Sequence, residues 1–245
     1  SSTKVIFSYI YMIIAILCGG KGRRLRPFTE EIPKTLVTLN GKPLLDYNLE
    51  LFSSKKLNNF ILCIGYKGDR IREHIGRTNL MNTNYQVTFS DAGENASMLK
   101  RIYHLKEEVE EMALVIYGDT LTNIDVDDLK KYHIEKGRAV TIVVASIQNP
   151  FGLVSFNDEG VAESFEEKPF FNYYIGMFLL SKWAFDYIDD EFLREPDGEG
   201  LVSFFNRLID EKQLMVYKYA GKQISFNTHS EREVAEEVVK TFYTL

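Results

Sequence analysis

The chain has 245 residues, 45% hydrophobic and 26% charged, so it can build a sizeable core and is not a disordered segment. Its 29 Lys+Arg against 35 Asp+Glu give a formal charge of −6, which excludes a general nucleic-acid coat protein. Any anionic ligand must then be met by a local basic cluster.

Val5 to Cys18 is an apolar run behind Lys4. It is shorter than the roughly 20 residues that span a bilayer, and Leu17 stands where a signal cleavage site needs a small residue. We therefore expect no membrane segment, a buried strand from Met12, and residues 1–11 as an extension or an expression remnant. Pro43 opens a helix that places Leu45, Leu49 and Phe52 on one face. Phe60–Ile64 reads as a second strand, 68–76 as a short helix with Ile71 and Ile75 inward, and 85–89 as a strand. A helix carrying Leu99, Ile102 and Tyr103 leads to a buried strand at 113–117. Asp125 caps a helix over 126–136 that stops at Gly137, and 140–145 is another strand.

This alternation predicts an α/β fold, a doubly wound, mixed but mostly parallel sheet. Beyond 145 the rhythm changes. Runs 153–156 and 161–165 flank a turn tetrad and predict a hairpin. Further strands are expected at 173–180, 214–219 and 224–226, with helices near 183–189 and 201–211. Ser230 and Glu233 read as a capping box for a last helix burying Val234, Val238 and Phe242. With no linker or repeat, residues 12–245 form one domain, with halves at about 12–120 and 121–245. Cys18 and Cys63 are expected as reduced core thiols of a cytoplasmic protein.

The chemistry begins in the loop after the first strand, Gly19-Gly20-Lys21-Gly22-Arg23-Arg24-Leu25-Arg26. Glycines let backbone N–H groups approach phosphate oxygens, and four cations within six residues suit an anionic ligand. The spacing matches neither the dinucleotide fingerprint nor the P-loop. A basic surface turn is the alternative reading.

Several later segments bear on that choice. GGKGRRLRP with Pro33-Lys34, then 59–68, Gly93-Glu94-Asn95, Leu99-Lys100-Arg101, Tyr117-Gly118-Asp119, Phe151-Gly152 and Phe165-Glu166-Glu167-Lys168-Pro169 occur in one order. That ordered set resembles the sugar-phosphate nucleotidylyltransferases, most closely the glucose-1-phosphate cytidylyltransferase branch. The resemblance spans roughly residues 12–240.

The resemblance implies a Rossmann-like nucleotidyltransferase fold, with a nucleotide-binding first half and a sugar-phosphate second half. The implied substrates are a nucleoside triphosphate and a sugar-1-phosphate, by default CTP and glucose-1-phosphate, with UTP, dTTP and GTP open. A heptose-1-phosphate or a non-sugar phosphate is also open. Arg24 and Lys34 match the family's catalytic cations. Gly19, Gly20, Gly22, Arg23, Tyr66 and Glu94 fall at nucleotide-binding positions, though Tyr66 is equally readable as core. Glu167, Lys168, Tyr174 and Gly176 fall at the sugar phosphate. Asp119 matches a Mg²⁺ ligand, its alternative being a turn cap.

This chain departs from the pattern at four places. Arg23 replaces a Ser or Thr. The GENASMLKR segment lacks a Thr-Gly-Gly portion that surrounds the base. Tyr174-Ile175-Gly176 replaces an Asn-Gly-Gly near the sugar. Asn227 stands where the family has a second metal-binding aspartate, and the adjacent His229 suits Mg²⁺ poorly. A non-catalytic nucleotide-binding relative with a regulatory role is therefore the alternative to an enzyme. Trp183, Phe185, Phe204 and Phe205 are readable as core or as an interface between copies.

Overall fold

The computed structural model describes residues 11–79 and 85–242; apart from Tyr11, the expected extension lies outside them. In chain order the strands are β1 Met12–Leu17, β2 Thr38–Leu39, β3 Lys42–Pro43, β4 Asn59–Ile64, β5 Gln86–Asp91, β6 Met112–Tyr117 and β7 Leu121–Thr122. They continue as β8 Val140–Gln148, β9 Leu153–Phe156, β10 Ala162–Glu166, β11 Phe170–Ser181, β12 Leu214–Lys218 and β13 Gln223–Ile224. The main helices are α1 Leu44–Ser53, α2 Gly68–Asn79, α3 Met98–Tyr103, α4 Val126–Lys136, α5 Glu199–Asp210 and α6 His229–Lys240.

One seven-stranded sheet runs β12-β8-β11-β6-β1-β4-β5. Only β11 is antiparallel to its neighbours, β6 and β8; the other pairings are parallel. The central strands are continuous apolar runs because both faces of the sheet are covered. On one face Ile14, Ile16, Leu62, Leu114 and Ile116 pack with Leu45, Leu49 and Phe52 of α1, Ile71 and Ile75 of α2, and Leu129 of α4. On the other, Ile13, Ala15, Cys63 and Val115 pack with Leu99 and Ile102 of α3 and Leu201, Phe204 and Leu208 of α5. Cys18 and Cys63 are buried free thiols, and burial raises the pKa of both.

The expected caps of α4 are present: the Asp125 side chain accepts from the Asp128 N–H, and Gly137 closes the helix with φ 59°. The last helix corrects the sequence reading. Thr228, not Ser230, caps α6 by accepting from Glu231 N–H, and the Glu231 carboxylate accepts from Asn227 N–H. Phe242 is buried as expected, but Ala235 and Val239 rather than Val234 and Val238 are the buried helix residues: Val238 is half-buried and Val234 is 65% exposed. The strand expected at 224–226 shrinks to the short pairing of β13 with β7. Of the aromatics left open, Phe185 and Phe204 are core, whereas Trp183 is exposed.

Beyond β1 the chain builds outward through β4 and β5, then returns to place β6 on the other side of β1. The loops leaving the carboxyl ends of β1 and β6 therefore diverge and open a crevice, the position at which open α/β sheets bind ligands.

Candidate functional site

The crevice is a cleft of about 320 Å³ lined by Gly19, Gly20, Lys21, Gly22, Arg23 and Arg24 from the first loop. Lys34, Asp119 and Asn227 complete its far wall. An adjoining lobe of about 390 Å³ shares the glycine loop and adds Glu94 and Asn95. Both volumes are in the range of small-molecule sites.

The loop conformation depends on glycine at one position above all. Gly22 has φ +56°, and a Cβ there would lie 2.9 Å from Thr29 Cγ2. Thr29 in turn donates its hydroxyl to the Gly22 carbonyl at 2.8 Å, which pins the loop to the helical turn Phe28–Glu31. Arg23 and Arg24 occupy a single 3₁₀ turn, and neither forms an ion pair among the described residues. Lys21 donates to Asn95 Oδ1 at 2.9 Å, which bridges the two lobes.

Three residues far apart in sequence meet at Lys34. Its Nζ donates to Asp119 Oδ2 at 2.5 Å and to Asn227 Oδ1 at 3.0 Å, with the Lys34 side chain only 12% exposed. Asp119 is thus held in the cleft by an ammonium rather than serving as a turn cap. Gly118 makes this approach feasible, since a Cβ there would lie 2.4 Å from Thr35 Cγ2. Two oxygen donors, one carboxylate and one neutral amide, converge on one cation. That donor set fits Mg²⁺, which takes one or two carboxylates and fills its octahedron with waters and substrate phosphates. No group of three or more His, Cys, Asp or Glu side chains that could hold a metal occurs among the described residues, so such an ion would draw most ligands from phosphate and water.

Arg101 is the residue that sequence reasoning missed. It is 4% exposed, yet its guanidinium donates to Gly19 O at 3.1 Å, Glu94 O at 3.2 Å, Gly93 O at 3.3 Å and the Ala96 carbonyl. It clamps the glycine loop to the 93–96 loop. Cβ atoms at Gly19 and Gly65 would overlap the guanidinium at 2.1 and 2.4 Å, so both glycines make room for it. Burial lowers the Arg101 pKa, while the charges of Asp197, Cys63 and Asp91 raise it. Asp197, also missed, lines both lobes and accepts from Met98 N–H at 2.7 Å. Arg101 appeared only as one letter of a short motif between the apolar Leu99 and Ile102. Nothing in that spacing marks a buried charge.

The remaining expected residues stand outside the cleft lining. Tyr66 donates its hydroxyl to Thr29 O at 3.1 Å and braces the loop from behind. Tyr174 packs edge-on between Tyr117 and Phe205, at 5.7 and 5.8 Å between ring centroids. Burial pushes the Tyr117 hydroxyl up to about 12. Gly176 has φ +81° and lies against the Tyr117 ring, where a Cβ would sit 2.8 Å away. Both residues therefore support Tyr117, which does line the cleft. Glu167 and Lys168 follow the hairpin and are more than half exposed, with 3.9 Å between carboxylate and ammonium.

A doubly wound sheet with a cationic, glycine-looped cleft at its switch point defines a nucleotide- or phosphate-binding α/β protein. The chain belongs more specifically to the Nucleotidyl transferase family, whose pattern it matches over residues 13–222. It is 31% identical over 239 residues to the "Probable glucose-1-phosphate cytidylyltransferase" of Bacillus subtilis, covering 89% of this chain and 92% of that protein. It is 28% identical over 191 residues to the D-glycero-alpha-D-manno-heptose 1-phosphate guanylyltransferase of Campylobacter jejuni, covering 74% and 84%. The fold is shared with the crystal structure of UDP-glucose pyrophosphorylase complexed with UDP-glucose (TM-score 0.70, 15% identity, 94% of this chain and 99% of that one).

Proposed function

We propose that this protein transfers a nucleotidyl group from a nucleoside triphosphate to a sugar-1-phosphate. An oxygen of the sugar phosphate attacks the α-phosphorus, the bond to the β-phosphate bridge breaks, and pyrophosphate leaves with the displaced electron pair. CTP and glucose-1-phosphate are the favoured substrates, supported by the relative that covers nearly the whole chain. The observation that carries the reading is the Lys34–Asp119–Asn227 contact at the end of the glycine loop, which gathers a cation and two oxygen donors beside a phosphate-sized cradle.

In such a transfer the protein positions reactants and offsets growing negative charge. The Gly19–Gly22 backbone with Arg23 and Arg24 would hold the triphosphate, Arg24 through its planar donor fork. Lys34 would sit against the reacting phosphate. Asp119 and Asn227 would hold Mg²⁺, which when bound offsets charge on the phosphate oxygens. Glu94 and Asn95 would face the nucleoside from the second lobe, and Glu167 and Lys168 would meet the sugar and its phosphate. The neutral Asn227 favours one competing reading, a relative that binds nucleotide without turning it over.

The test is pyrophosphate release with Mg²⁺ and glucose-1-phosphate against CTP, UTP, dTTP, GTP and ATP in parallel. Sugar-dependent release with one base, CTP first, is expected. Tight nucleotide binding with no release for glucose-, mannose- or heptose-1-phosphate would replace the enzyme with the binding-only relative.

A further inference from the structure

A nucleoside triphosphate has three chemically different parts, and the cleft has two lobes. Lys34, Asp119 and Asn227 line only the first lobe, whereas Glu94 and Asn95 line only the second. A ligand with its phosphates in the first and its base in the second must lay its sugar across the lining that both share. That shared lining is the loop from Gly19 to Arg23, together with Arg101 and Asp197. Ribose is neutral, and its 2′- and 3′-hydroxyls need acceptors. Lys21, Arg23 and Arg101 bring side-chain donors only, which suit phosphate. Of the described residues common to both lobes, Asp197 alone has acceptor oxygens on its side chain.

The backbone around Asp197 is set by its neighbours. Pro196 has a restricted φ, its carbonyl accepts from Glu199 N–H at 3.0 Å, and Gly198 takes φ +95°, which a side chain would disfavour. Asp197 Oδ1 accepts from Met98 N–H at 2.7 Å, one of the donors that the start of α3 leaves unpaired. Capping α3 is the plain structural role, and it uses one oxygen. Asp197 Oδ2 has no hydrogen bond or ion pair among the described residues. A carboxylate in an anion-binding cleft would repel its ligand if left alone. Here its charge acts on the buried Arg101 guanidinium, whose pKa it raises, so a cation that bonds the same loops partly balances it. A carboxylate that accepts ribose hydroxyls is also how dinucleotide-binding folds read their sugar. Given the nucleotide's placement in the proposed transfer, on which this inference rests, we propose that Asp197 selects ribonucleoside triphosphates over their 2′-deoxy counterparts. Its Oδ2 accepts from the ribose 2′-hydroxyl. CTP, UTP and GTP then remain open as substrates, and dTTP does not.

The test compares nucleotides that differ only in the 2′-hydroxyl, CTP with dCTP, UTP with dUTP and GTP with dGTP, on the full chain. Equilibrium dialysis with Mg²⁺ gives Kd, and pyrophosphate release with glucose-1-phosphate gives kcat/KM. A hydrogen bond to a charged acceptor corresponds to about ten- to a hundredfold, and the wild type should prefer the ribonucleotide of its chosen base by that factor. Asp197→Ala should weaken that ribonucleotide by about tenfold or more and its 2′-deoxy partner by less than about threefold. A residue that only caps α3 would weaken both equally, because both ligands use the same loops. Asp197→Asn keeps an oxygen for Met98 N–H and so guards against a folding artefact. It should leave the melting temperature unchanged and still reduce the ribose preference by about threefold or more. Equal affinity of the wild type for both sugars, or equal losses for both in Asp197→Ala, would overturn the assignment of Asp197 and leave the reaction standing. A ribose preference in binding that Asp197→Ala removes, with no pyrophosphate release, would support Asp197 and overturn the reaction. A chain that binds none of these nucleotides overturns both.

Discussion

The two strands β8 and β11 end very differently. At their rooted end the buried His133 bonds Thr141 at 2.7 Å and Ser181 at 2.9 Å, and the ladder between them is packed on both faces. At their far end the same ladder runs into an exposed arm, residues 146–173 with the β9–β10 hairpin, where Ile147, Phe171 and Tyr173 face outward. The cleft belongs to the first kind of structure. Arg101 and Lys34 lock its loops through buried or nearly buried charges, so its geometry is fixed within one chain. The arm belongs to the second kind, and it carries Glu167 and Lys168. Residues proposed for the nucleotide thus sit among buried, cross-bonded loops, while those proposed for the sugar phosphate sit on exposed strands.

The sharpest way to break this contrast is at the cleft. Lys34→Ala should cut sugar-dependent pyrophosphate release by about 10²–10³-fold, as loss of a charge-stabilising donor does, and should also lower the melting temperature, because it strips Asp119 and Asn227 of their shared donor. A loss of less than fivefold would remove Lys34 from the reaction. Arg101→Met should cost about 3 kcal/mol in urea unfolding, because it strips donors from buried carbonyls, and should abolish nucleotide binding. Retained stability would mean that the clamp is not what holds the loops.

The rooted end of the ladder is tested by pH. Burial pushes His133 down to about 4 from the ordinary 6.5. Above pH 6.5 the ring is neutral whether folded or unfolded and costs nothing. As pH falls from 6.5 toward 4 the unfolded chain takes up a proton that the folded one refuses, so stability is lost across that window, by up to about 3 kcal/mol. His133→Gln should flatten that part of the stability profile relative to the wild type. An unchanged slope would place the proton uptake elsewhere.

Smaller effects separate the two walls of the site. Asn227→Asp adds the charge that the amide lacks, and the Mg²⁺ concentration for half-maximal rate should fall about tenfold. No change would count against Asn227 as a ligand. Lys168→Ala, on the arm, should raise the sugar-phosphate KM about tenfold and leave the nucleotide KM alone. Equal changes in both would blur the division between cleft and arm.

How legible each region was follows from the physics that builds it. Continuous apolar runs marked β1, β4 and β6, and capping chemistry placed both ends of α4, because these features are local in sequence. The glycine loop was readable for the same reason, whereas Lys34 was singled out only by the family resemblance. The contact of Lys34 with Asn227 spans 193 positions, and only the fold brings the two together. Arg101 was invisible because its guanidinium donates to backbone carbonyls of Gly19 and the 93–96 loop, partners that no side-chain spacing marks in the sequence. The α6 register was misread because Thr228 and Ser230 offer equivalent hydroxyls, and the choice is made by packing of Ala235 and Val239 against Leu25 and Leu39. The runs 153–156 and 161–165 were read as a hairpin from the turn tetrad between them, but turn chemistry does not say how exposed the strands are.

The reaction type is tested most directly with nucleoside triphosphate labelled at the α- or the γ-phosphate, incubated with sugar-1-phosphate and Mg²⁺. Nucleotidyl transfer places the α-label in a nucleotide-sugar and the γ-label in pyrophosphate. A γ-label appearing on the sugar or as free inorganic phosphate, with the α-label left in nucleoside diphosphate, would contradict it.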